Sequence, residues 1–287
     1  MLIDLHAHST ASDGTDRPAA LVAVAGEAGL DVVAVTDHDT TIGWAEAAAA
    51  VPAGLTVVPG LELSCRWTPL NGERPTELHI LGYLVDPAHP GLVQALAALR
   101  DSRLGRAERM TARMAADGLP VRWERVAELA GNASVGRPHI ARTLVEAGVV
   151  SSVDEAFATL LRTGSPYHEP KQDLDALAGV RLVTEAGGVA VFAHPLARAR
   201  GRVVGDDVVV ALAGAGLAGL EVDHPDHAPA DREHLRGLAG ELGLLVTGSS
   251  DYHGTNKRVR VGAGGLTAPA AYEALVARAT GSAPVVG

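Results

Sequence analysis

Two histidines and a carboxylate lie close together in DLHAHSTASDG, near the amino terminus of the chain: His6, His8 and Asp13. Each has an ordinary structural explanation, because histidines often pack or cap and an aspartate before glycine often forms a turn. Taken together, imidazole and carboxylate groups at this spacing are typical ligands of a divalent metal ion that activates water. A metal site is therefore the hypothesis that the rest of the sequence has to support.

Six more residues of the same types lie in or directly after apolar runs. They are His38 in VTDHDT, Glu62 in VVPGLELS, His79 in ELHILGY, His194 in VFAHP, and Asp251 and His253 in TGSSDYH. Any one of them could be a cap, a turn residue or a packed side chain. Separate structural roles do not explain why so many fall at equivalent places. We therefore interpret the nine residues as one metal cluster.

The ligand types limit the metals, and their number limits the stoichiometry. Imidazole with carboxylate and no thiolate suits Zn, Mn or Fe, and is less typical of Ca or of a Mg-only site. Nine candidate ligands exceed the three or four that one ion needs. The sequence therefore predicts two or three ions with a carboxylate as a bridge.

Short apolar runs precede most of these residues and alternate with helical patterns. The runs are 2–5, 32–35, 56–59, 78–85, 189–192, 219–222 and 244–248, and the helical patterns are 17–29, 43–50, 173–186, 206–215 and 229–242. Short apolar strands separated by helices predict a parallel sheet covered by helices. Seven such runs favour a closed or nearly closed α/β barrel. In a parallel barrel the carboxyl ends of the strands share one face, so the nine residues would converge there.

Residues 100–167 break this alternation, because only helical patterns occur there. The sequence predicts a small helical insertion between the fourth strand and the next barrel helix, with residues 1–99 and 168–287 forming the barrel.

Composition excludes several classes of protein. The formal net charge of −10 argues against broad nucleic-acid binding, so no stable nucleic-acid complex is expected. Cys65 is the single cysteine, which excludes an intrachain disulfide and suits a reducing, cytoplasmic location. We find neither a signal-peptide pattern nor an apolar stretch long enough for a membrane span. The oligomeric state is left open.

The motifs DLHAHS with SDG, TDHD, GLE, HILGY, AHP and SDYH resemble those of the PHP (polymerase and histidinol phosphatase) family, and the resemblance covers nearly the whole chain. It is strongest to the stand-alone nucleotide phosphoesterases with a helical insertion, including the 3′,5′-nucleoside bisphosphate phosphatases. The resemblance implies a distorted (β/α)7 barrel, a trinuclear metal site and a metal-dependent phosphoesterase. It also implies that the helical insertion, the catalytic barrel's one added segment, lies over the active site. Mn is the first choice of metal, with Zn, Fe or Mg as alternatives, because some family members have a histidine where Asp13 stands and an aspartate there favours harder ions.

The resemblance also implies how the ligands are shared. The first ion would be held by His6, His8, Glu62 and Asp251, the second by Glu62, His79 and His194, and the third by Asp13, His38 and His253. The attacking group would be a metal-bound hydroxide held by Glu62, His194 and Asp251, so no protein nucleophile is required.

Substrate contacts are predicted outside the cluster. Arg137 and His139 begin a helix in SVGRPHIA, and a guanidinium beside a helix amino terminus suits a phosphate. His224 in EVDHPDH would bind substrate or orient a ligand, and His227 is a weaker candidate of the same kind. Lys171, Lys257 and Arg258 are candidates for adding positive potential, with exposed surface charges as the alternative. Asp37 and Asp39, on either side of His38, are candidates for orienting a ligand, with turn formation as the alternative.

The leading functional hypothesis is hydrolysis of phosphomonoesters of small nucleotides, such as 3′,5′-nucleoside bisphosphates, with short oligoribonucleotides cleaved from the 5′ end as a compatible activity. A histidinol-phosphate phosphatase would use the same chemistry with a different pocket. A non-catalytic metal-binding or polymerase-associated module is the alternative from another class. A missing ligand would favour that alternative, and none of the nine is missing.

Overall fold

Nine strands form the sheet in the computed structural model, which describes residues 1–170 and 172–287 and leaves Lys171 outside the described residues. Their bounds are β1 Ile3–Asp4, β2 Val32–Val35, β3 Thr56–Trp67, β4 Thr76–Tyr83, β5 Leu174–Asp175, β6 Val189–Phe192, β7 Gly219–Asp223, β8 Leu245–Gly248 and β9 Val285–Val286. Seven of them follow the order β1-β2-β3-β4-β6-β7-β8, and β5 and β9 pair with β3.

Helices cover this sheet and form a separate group between β4 and β5. The helices of the described chain are α1 Pro18–Glu27, α2 Trp44–Ala49, α3 Pro90–Ala116, α4 Trp123–Ala130, α5 Arg137–Glu146, α6 Val153–Ala158, α7 Ala176–Glu185, α8 Asp206–Gly214, α9 Pro229–Leu242 and α10 Pro269–Arg278. Short 3₁₀ helices span Arg198–Arg200 and Gly254–Asn256. None of the helices over the described residues is long and apolar enough to cross a bilayer.

The sheet is nearly closed into a barrel. The ends of the seven-strand path approach each other beyond β1 and β8, where Ala7 forms a parallel bridge with Tyr252 and the His8 amide donates to the Tyr252 carbonyl at 2.8 Å. The predicted α/β barrel with an added group of helices is therefore confirmed.

The prediction of an all-parallel barrel is wrong for β4, which runs antiparallel to both β3 and β6. The link between β3 and β4 spans only residues 68–75, too short for the crossover that a parallel neighbour would require. Reversal of β4 brings its first half, rather than its end, to the catalytic face. His79 pairs with Ser64 there, two residues beyond Glu62.

The helices α3 to α6 pack around their own apolar core, which includes Met110, Ile140, Leu144 and Leu161. The predicted boundary at residue 100 lies inside α3, because that helix begins at Pro90. Its first part packs on the barrel core through Leu92, Leu96 and Leu99, among other residues. At 27 residues, α3 is about 40 Å long and connects the two cores as one rigid element.

Close packing of α7 on β3 makes a testable difference between two helical glycines. A Cβ on Gly179 of α7 would lie 2.6 Å from the Cys65 Sγ of β3, whereas a Cβ on Gly237 of α9 would meet nothing within 4 Å. We expect Gly237→Ala to raise the free energy of unfolding by up to about 1 kcal/mol, from helix propensity alone.

We expect Gly179→Ala to lower it by about 1–3 kcal/mol, because overpacking outweighs the same propensity gain. Urea denaturation of both variants measures the difference. Equal stabilisation by both substitutions would contradict the close contact between α7 and β3.

Candidate metal centre

Glu62 is the hub of a cluster at the catalytic face of the barrel. Its Oε1 lies 2.7 Å from His79 Nδ1 and 3.0 Å from His194 Nε2. Its Oε2 lies 3.1 to 3.2 Å from three further imidazole nitrogens, those of His6, His8 and His38. Glu62 lies on β3 and His79 on β4, and the other four histidines follow β1, β2 and β6. One carboxylate therefore contacts five histidines that are far apart in the sequence.

Asp251 and Asp13 extend the cluster on either side. Asp251 Oδ1 is 3.4 to 3.5 Å from nitrogens of His6, His8 and His253. Asp13 Oδ1 lies 3.4 Å from His253 Nε2, and its Oδ2 lies 3.7 Å from His38 Nε2. All nine candidate ligands therefore meet at one place. Seven of the nine are buried, and His79 and His194 are half-buried.

Three sets of these groups have ligand atoms within 4.8 Å of one another: His8, Asp13, His38 and His253; His6, His8 and Asp251; and His38, Glu62 and His79. Within the described chain, His38 Nδ1 and Asp251 Oδ1 are buried without a hydrogen-bond partner, although both face groups of the cluster. Buried polar atoms left in this way are costly unless something else binds them. The donor set and these two atoms fit divalent metal ions.

Burial and neighbouring charges set the protonation states that metal binding requires. Burial lowers the pKa of His194 and of His253 to about 3 each, helped by the nearby positive charges of Arg200 and Lys257. Both rings are therefore neutral near pH 7 and keep a free lone pair. Burial alone would raise the pKa of Glu62, but the surrounding histidines, His38 and His79 first among them, hold it well below its usual value. Glu62 is therefore ionised.

A buried carboxylate that the sequence analysis missed, Glu221 on β7, supports two of the histidines. His6 Nδ1 donates to Glu221 Oε1 at 2.9 Å, and the His194 amide donates to Oε2 at 2.8 Å. The first bond directs His6 Nε2 toward the cluster, because the other ring nitrogen is occupied. A glutamate inside the apolar run GLEV was the available sequence signal.

The aspartates that flank His38 bind neighbouring segments. Asp37 accepts from the Ser9 amide at 2.8 Å and from the Ser12 hydroxyl at 2.6 Å, which fixes the loop between His8 and Asp13. Asp39 lies in the left-handed region with φ 53° and accepts from the Ser64 amide at 2.7 Å. Asp39 therefore lies in a turn, and both aspartates accept hydrogen bonds that support loops or strands bearing proposed ligands.

Two cations contact the outer oxygen of Asp251. Lys257 Nζ donates to Asp251 Oδ2 at 2.7 Å, and Arg200, which the sequence analysis missed, donates to the same atom. Both side chains are about one-third exposed, at 30% and 33%. They bring positive charge to the rim of the cluster, where an anionic substrate would approach.

His224 and His227 differ in their surroundings. His224 is fully buried, its Nδ1 accepts from the Asp226 amide at 3.0 Å, and its Nε2 lies 3.3 Å from Asp251 Oδ2. That geometry suits orientation of Asp251 rather than contact with a substrate. His227 uses both ring nitrogens on backbone, with Nδ1 donating to Val222 and Nε2 accepting from Leu196.

Arg137 and His139 begin α5 as predicted, but they have different environments. His139 Nδ1 accepts from the Gly136 amide at 3.0 Å, and burial lowers the pKa of the ring, so it is a neutral capping residue. Arg137 donates to the Leu161 carbonyl at 3.2 Å and lies over the Phe157 ring at 5.3 Å.

Arg137 also lines a narrow cleft together with Arg103 and Arg106 of α3. Arg106 is only 6% exposed, and its Nε and Nη2 have no hydrogen-bond partner in the part of the chain that the structure describes. Burial and the charge of Arg137 lower the pKa of Arg106 to about 10, which leaves it cationic near neutral pH. We call these three residues the arginine cleft.

Comparison with known proteins places these features in context. The sequence model of the PHP domain matches residues 4–116. A 3′,5′-nucleoside bisphosphate phosphatase from Chromobacterium violaceum is 34% identical over 253 residues, which are 88% of this chain and 87% of that protein. A phosphoribosyl 1,2-cyclic phosphate 1,2-diphosphodiesterase from Eggerthella lenta is 34% identical, over 90% of this chain and 97% of that protein. The 5′-3′ exoribonuclease Rnm of Salmonella typhimurium is 32% identical, over 88% and 85% of the two chains.

Among solved structures, a protein from Bifidobacterium adolescentis assigned as a metal-dependent phosphoesterase superposes with a TM-score of 0.89. It is 34% identical in sequence, and the match covers 97% of this chain and 96% of that one.

The metal-free protein should lose stability as the pH rises. Burial lowers the pKa of His8, but its contacts with Asp251, Glu62 and Asp13 outweigh burial and raise it to about 9. A folded pKa above the unfolded value of about 6.5 stabilises fully below that value, and the contribution is lost as the pH rises through about 9. His6 shifts in the same direction.

We therefore expect the thermal midpoint of chelator-treated protein to fall between pH 6.5 and pH 9. Because a metal ion displaces these protons, the affinity for Mn²⁺ should rise over the same interval. Calorimetric unfolding and titration at both pH values measure the two trends. A midpoint independent of pH would contradict protonated histidines in the empty cluster.

Proposed function

The chain belongs to the PHP domain family, and we propose that it is a metal-dependent phosphoesterase that hydrolyses phosphomonoesters of small nucleotides, such as 3′,5′-nucleoside bisphosphates. The observation that carries this proposal is the meeting of three carboxylates and six imidazoles at one face of the barrel. A cluster of this composition has no structural purpose in a barrel and suits hydrolysis at divalent cations.

The proposed ligand sets are those that the resemblance implies, and the groups of close ligand atoms differ from them in two respects: His8 also joins the Asp13 group, and His38 joins Glu62 and His79. One ion would be held by His6, His8, Glu62 and Asp251, a second by Glu62, His79 and His194, and a third by Asp13, His38 and His253. Glu62 would be the bridge, because its two oxygens face different histidines. We take Mn as the first choice, with Zn, Fe or Mg as alternatives, because the carboxylate of Asp13 favours a hard ion.

Divalent cations bound there would acidify a water molecule and withdraw charge from the phosphoryl group. The chain contributes the groups that orient this reaction. Glu62, His194 and Asp251 border the place where the attacking oxygen would lie, and Glu221 and His224 hold two of those side chains in position. Arg200 and Lys257 would offset the negative charge of the phosphoryl oxygens from the rim. Cys65 is buried beneath α7 and takes no part.

Substrate selection would come from the helical insertion, which we take as residues 100–167 between the barrel segments 1–99 and 168–287. The arginine cleft offers cationic donors that lack partners, and Arg103 extends it toward the cluster, where its charge acts on Asp13. A substrate with two phosphates could place one on the cations and the other in the cleft. His139 would position the start of α5 rather than bind the anion.

Other functions fit the observations less closely. Cleavage of short oligoribonucleotides from the 5′ end is compatible with the relative from Salmonella typhimurium, and a net charge of −10 disfavours a stable complex with long nucleic acid. A histidinol-phosphate phosphatase would need no second anion site. A non-catalytic or polymerase-associated module is disfavoured, since every candidate ligand reaches the cluster. The partner is therefore a small phosphorylated nucleotide, and the lone cysteine suits the cytoplasm.

Glu62→Gln should abolish both cation binding and turnover. An amide has one acceptor oxygen where the carboxylate has two, so it cannot bridge two cations, and it leaves five imidazoles without their counter-charge. Elemental analysis after Mn²⁺ loading should show two or three equivalents in the parent and less than one in the variant. Glu241→Gln, on the exposed face of α9, is the control. Activity within about three-fold of the parent, which is less than about 0.7 kcal/mol of barrier, would contradict a bridging role.

Arg137→Ala and Arg106→Met should discriminate between substrates. Each removes a cation from the arginine cleft, and a charge-assisted hydrogen bond contributes about 1.5–3 kcal/mol. We expect kcat/KM for adenosine 3′,5′-bisphosphate to fall about ten- to a hundred-fold, with far smaller losses on p-nitrophenyl phosphate. Arg125→Ala, which removes an exposed pair with Glu146, should change neither.

The same panel should include AMP, short RNA and histidinol phosphate, with phosphate release as the readout. If Arg137→Ala lowers kcat/KM equally for one-phosphate and two-phosphate substrates, Arg137 contacts the phosphate that is hydrolysed. A preference for histidinol phosphate in the parent would contradict the nucleotide assignment.

A further inference from the structure

Arg103 lies on α3 between the barrel core and the helical core, and only 8% of it is exposed. A buried guanidinium has to satisfy several donors at once. Its Nε donates to Asp39 Oδ2, and its Nη2 donates to Ser64 Oγ at 2.7 Å. One side chain of the insertion thus binds two different elements of the barrel, the loop after β2 and the strand β3.

Asp39 and Ser64 are also bonded to each other. The Ser64 amide donates to Asp39 Oδ1 at 2.7 Å, and the Ser64 hydroxyl donates to Asp39 Oδ2 at 2.8 Å. Arg103, Asp39 and Ser64 therefore form a closed, buried ring of hydrogen bonds, which we call the Arg103 triad. A closed ring restricts the relative positions of its three members more strongly than any one bond.

The barrel side of the triad adjoins two proposed ligands. Asp39 directly follows His38, and the Asp39 amide donates to the Glu62 carbonyl at 3.1 Å. Ser64 lies two residues beyond Glu62 on the same strand. The triad consequently controls the spacing between His38 and Glu62, whose facing atoms are 3.2 Å apart.

The other side of Arg103 faces the arginine cleft. A Cβ on Gly136, at the start of α5, would lie 3.6 Å from Arg103 Nη1, and Arg103 lines the cleft with Arg106 and Arg137. The three nitrogens of one guanidinium thus face Asp39, Ser64 and the cleft. An anion in the cleft would contact the Arg103 guanidinium directly, and cations at His38 and Glu62 would act on the same guanidinium through Asp39 and Ser64.

We propose that Arg103 is a positioning residue that couples the cleft to the cation ligands, so that an anion bound in the cleft tightens cation binding and the reverse. The coupling rests on the proposed function for its two ligands, a divalent cation and a nucleotide phosphate. Such coupling is reciprocal by thermodynamic necessity. It would make the enzyme assemble its full cation set most readily when a substrate spans both sites.

The test is the affinity of the full-length protein for Mn²⁺, measured by isothermal titration with two non-hydrolysable phosphonates, the bisphosphonate analogue of adenosine 3′,5′-bisphosphate and the analogue that carries one phosphonate. The parent should bind Mn²⁺ at least about five-fold more tightly with the bisphosphonate than with the monophosphonate, because only the bisphosphonate has a second anion for the cleft once the first lies on the cations. Asp39→Asn should reduce the ratio to below about two-fold. An amide has one acceptor oxygen, so its NH₂ group would face either the Ser64 amide or the donors on Oδ2, and the negative charge beside Arg103 is lost. Arg103→Lys should do the same, because one ammonium lacks the planar fork that reaches both acceptors.

Arg109→Ala is the matched control, since Arg109 is exposed on the same helix and pairs with Glu169 away from the triad. It should keep the ratio of the parent. If circular dichroism shows that Asp39→Asn or Arg103→Lys fails to fold, Ser64→Ala decides the question. It removes an acceptor of the triad without changing the net charge. Coupling at the parental ratio in the folded triad variants would overturn the inference.

Two further outcomes separate this inference from the proposed function. A parent that binds Mn²⁺ equally tightly with both analogues would overturn the coupling and leave the phosphoesterase proposal intact. A parent that binds no Mn²⁺ would overturn both.

Discussion

Glu62 is a carboxylate that burial alone would make unstable, and the cluster exists because five imidazole nitrogens surround it. The cost of taking a carboxylate out of water is large unless positive or polarisable partners replace the lost hydration. Supplying those partners requires β3 to extend well beyond its neighbours and β4 to return antiparallel along it, so that His79 faces Glu62. The antiparallel pair β3 and β4 is thus the part of the sheet that places partners around Glu62.

A second layer of carboxylates lies behind the cluster, and each is held by a serine. Asp4 accepts from Ser250, Asp37 from Ser9 and Ser12, Asp39 from Ser64, and Glu221 from Ser249. Each serine is next to, or within four residues of, a proposed ligand in the sequence. The hydroxyls and adjacent amides replace the lost hydration of these buried acids, and Asp39 is paired with Arg103 as well. Burial alone would raise the pKa of Glu221, but His6 holds it below its usual value, so the negative charge of Glu221 adds to the field that favours cations at the centre.

Much of the site follows from the sequence, because ligands at the ends of successive strands must meet when the strands form one barrel. His6, His38, His194 and Asp251 were predictable in this way. The direction of β4 was not, since an apolar run has the same pattern in either direction, and only the short link before it indicates a hairpin. Arg106 and Arg200 gave no signal, because an arginine in a helical or loop pattern normally faces solvent. Their burial depends on tertiary contacts that periodicity does not encode.

The length of α3 constrains how this architecture can diverge. One continuous helix carries Leu92 and Leu99 in the barrel core, Arg103 and Arg106 at the junction, and Met110 in the helical core. Each residue of an α-helix turns the chain by about 100°. A single deletion between residues 92 and 110 would therefore rotate one core out of phase with the other and turn the arginines away from the junction. Insertions and deletions in this helix are tolerable only near whole numbers of turns, in steps of about seven or eleven residues. Variation in the size of the insertion must accumulate instead in the loops between α3, α4, α5 and α6, beyond the helix that sets the phase between the cores.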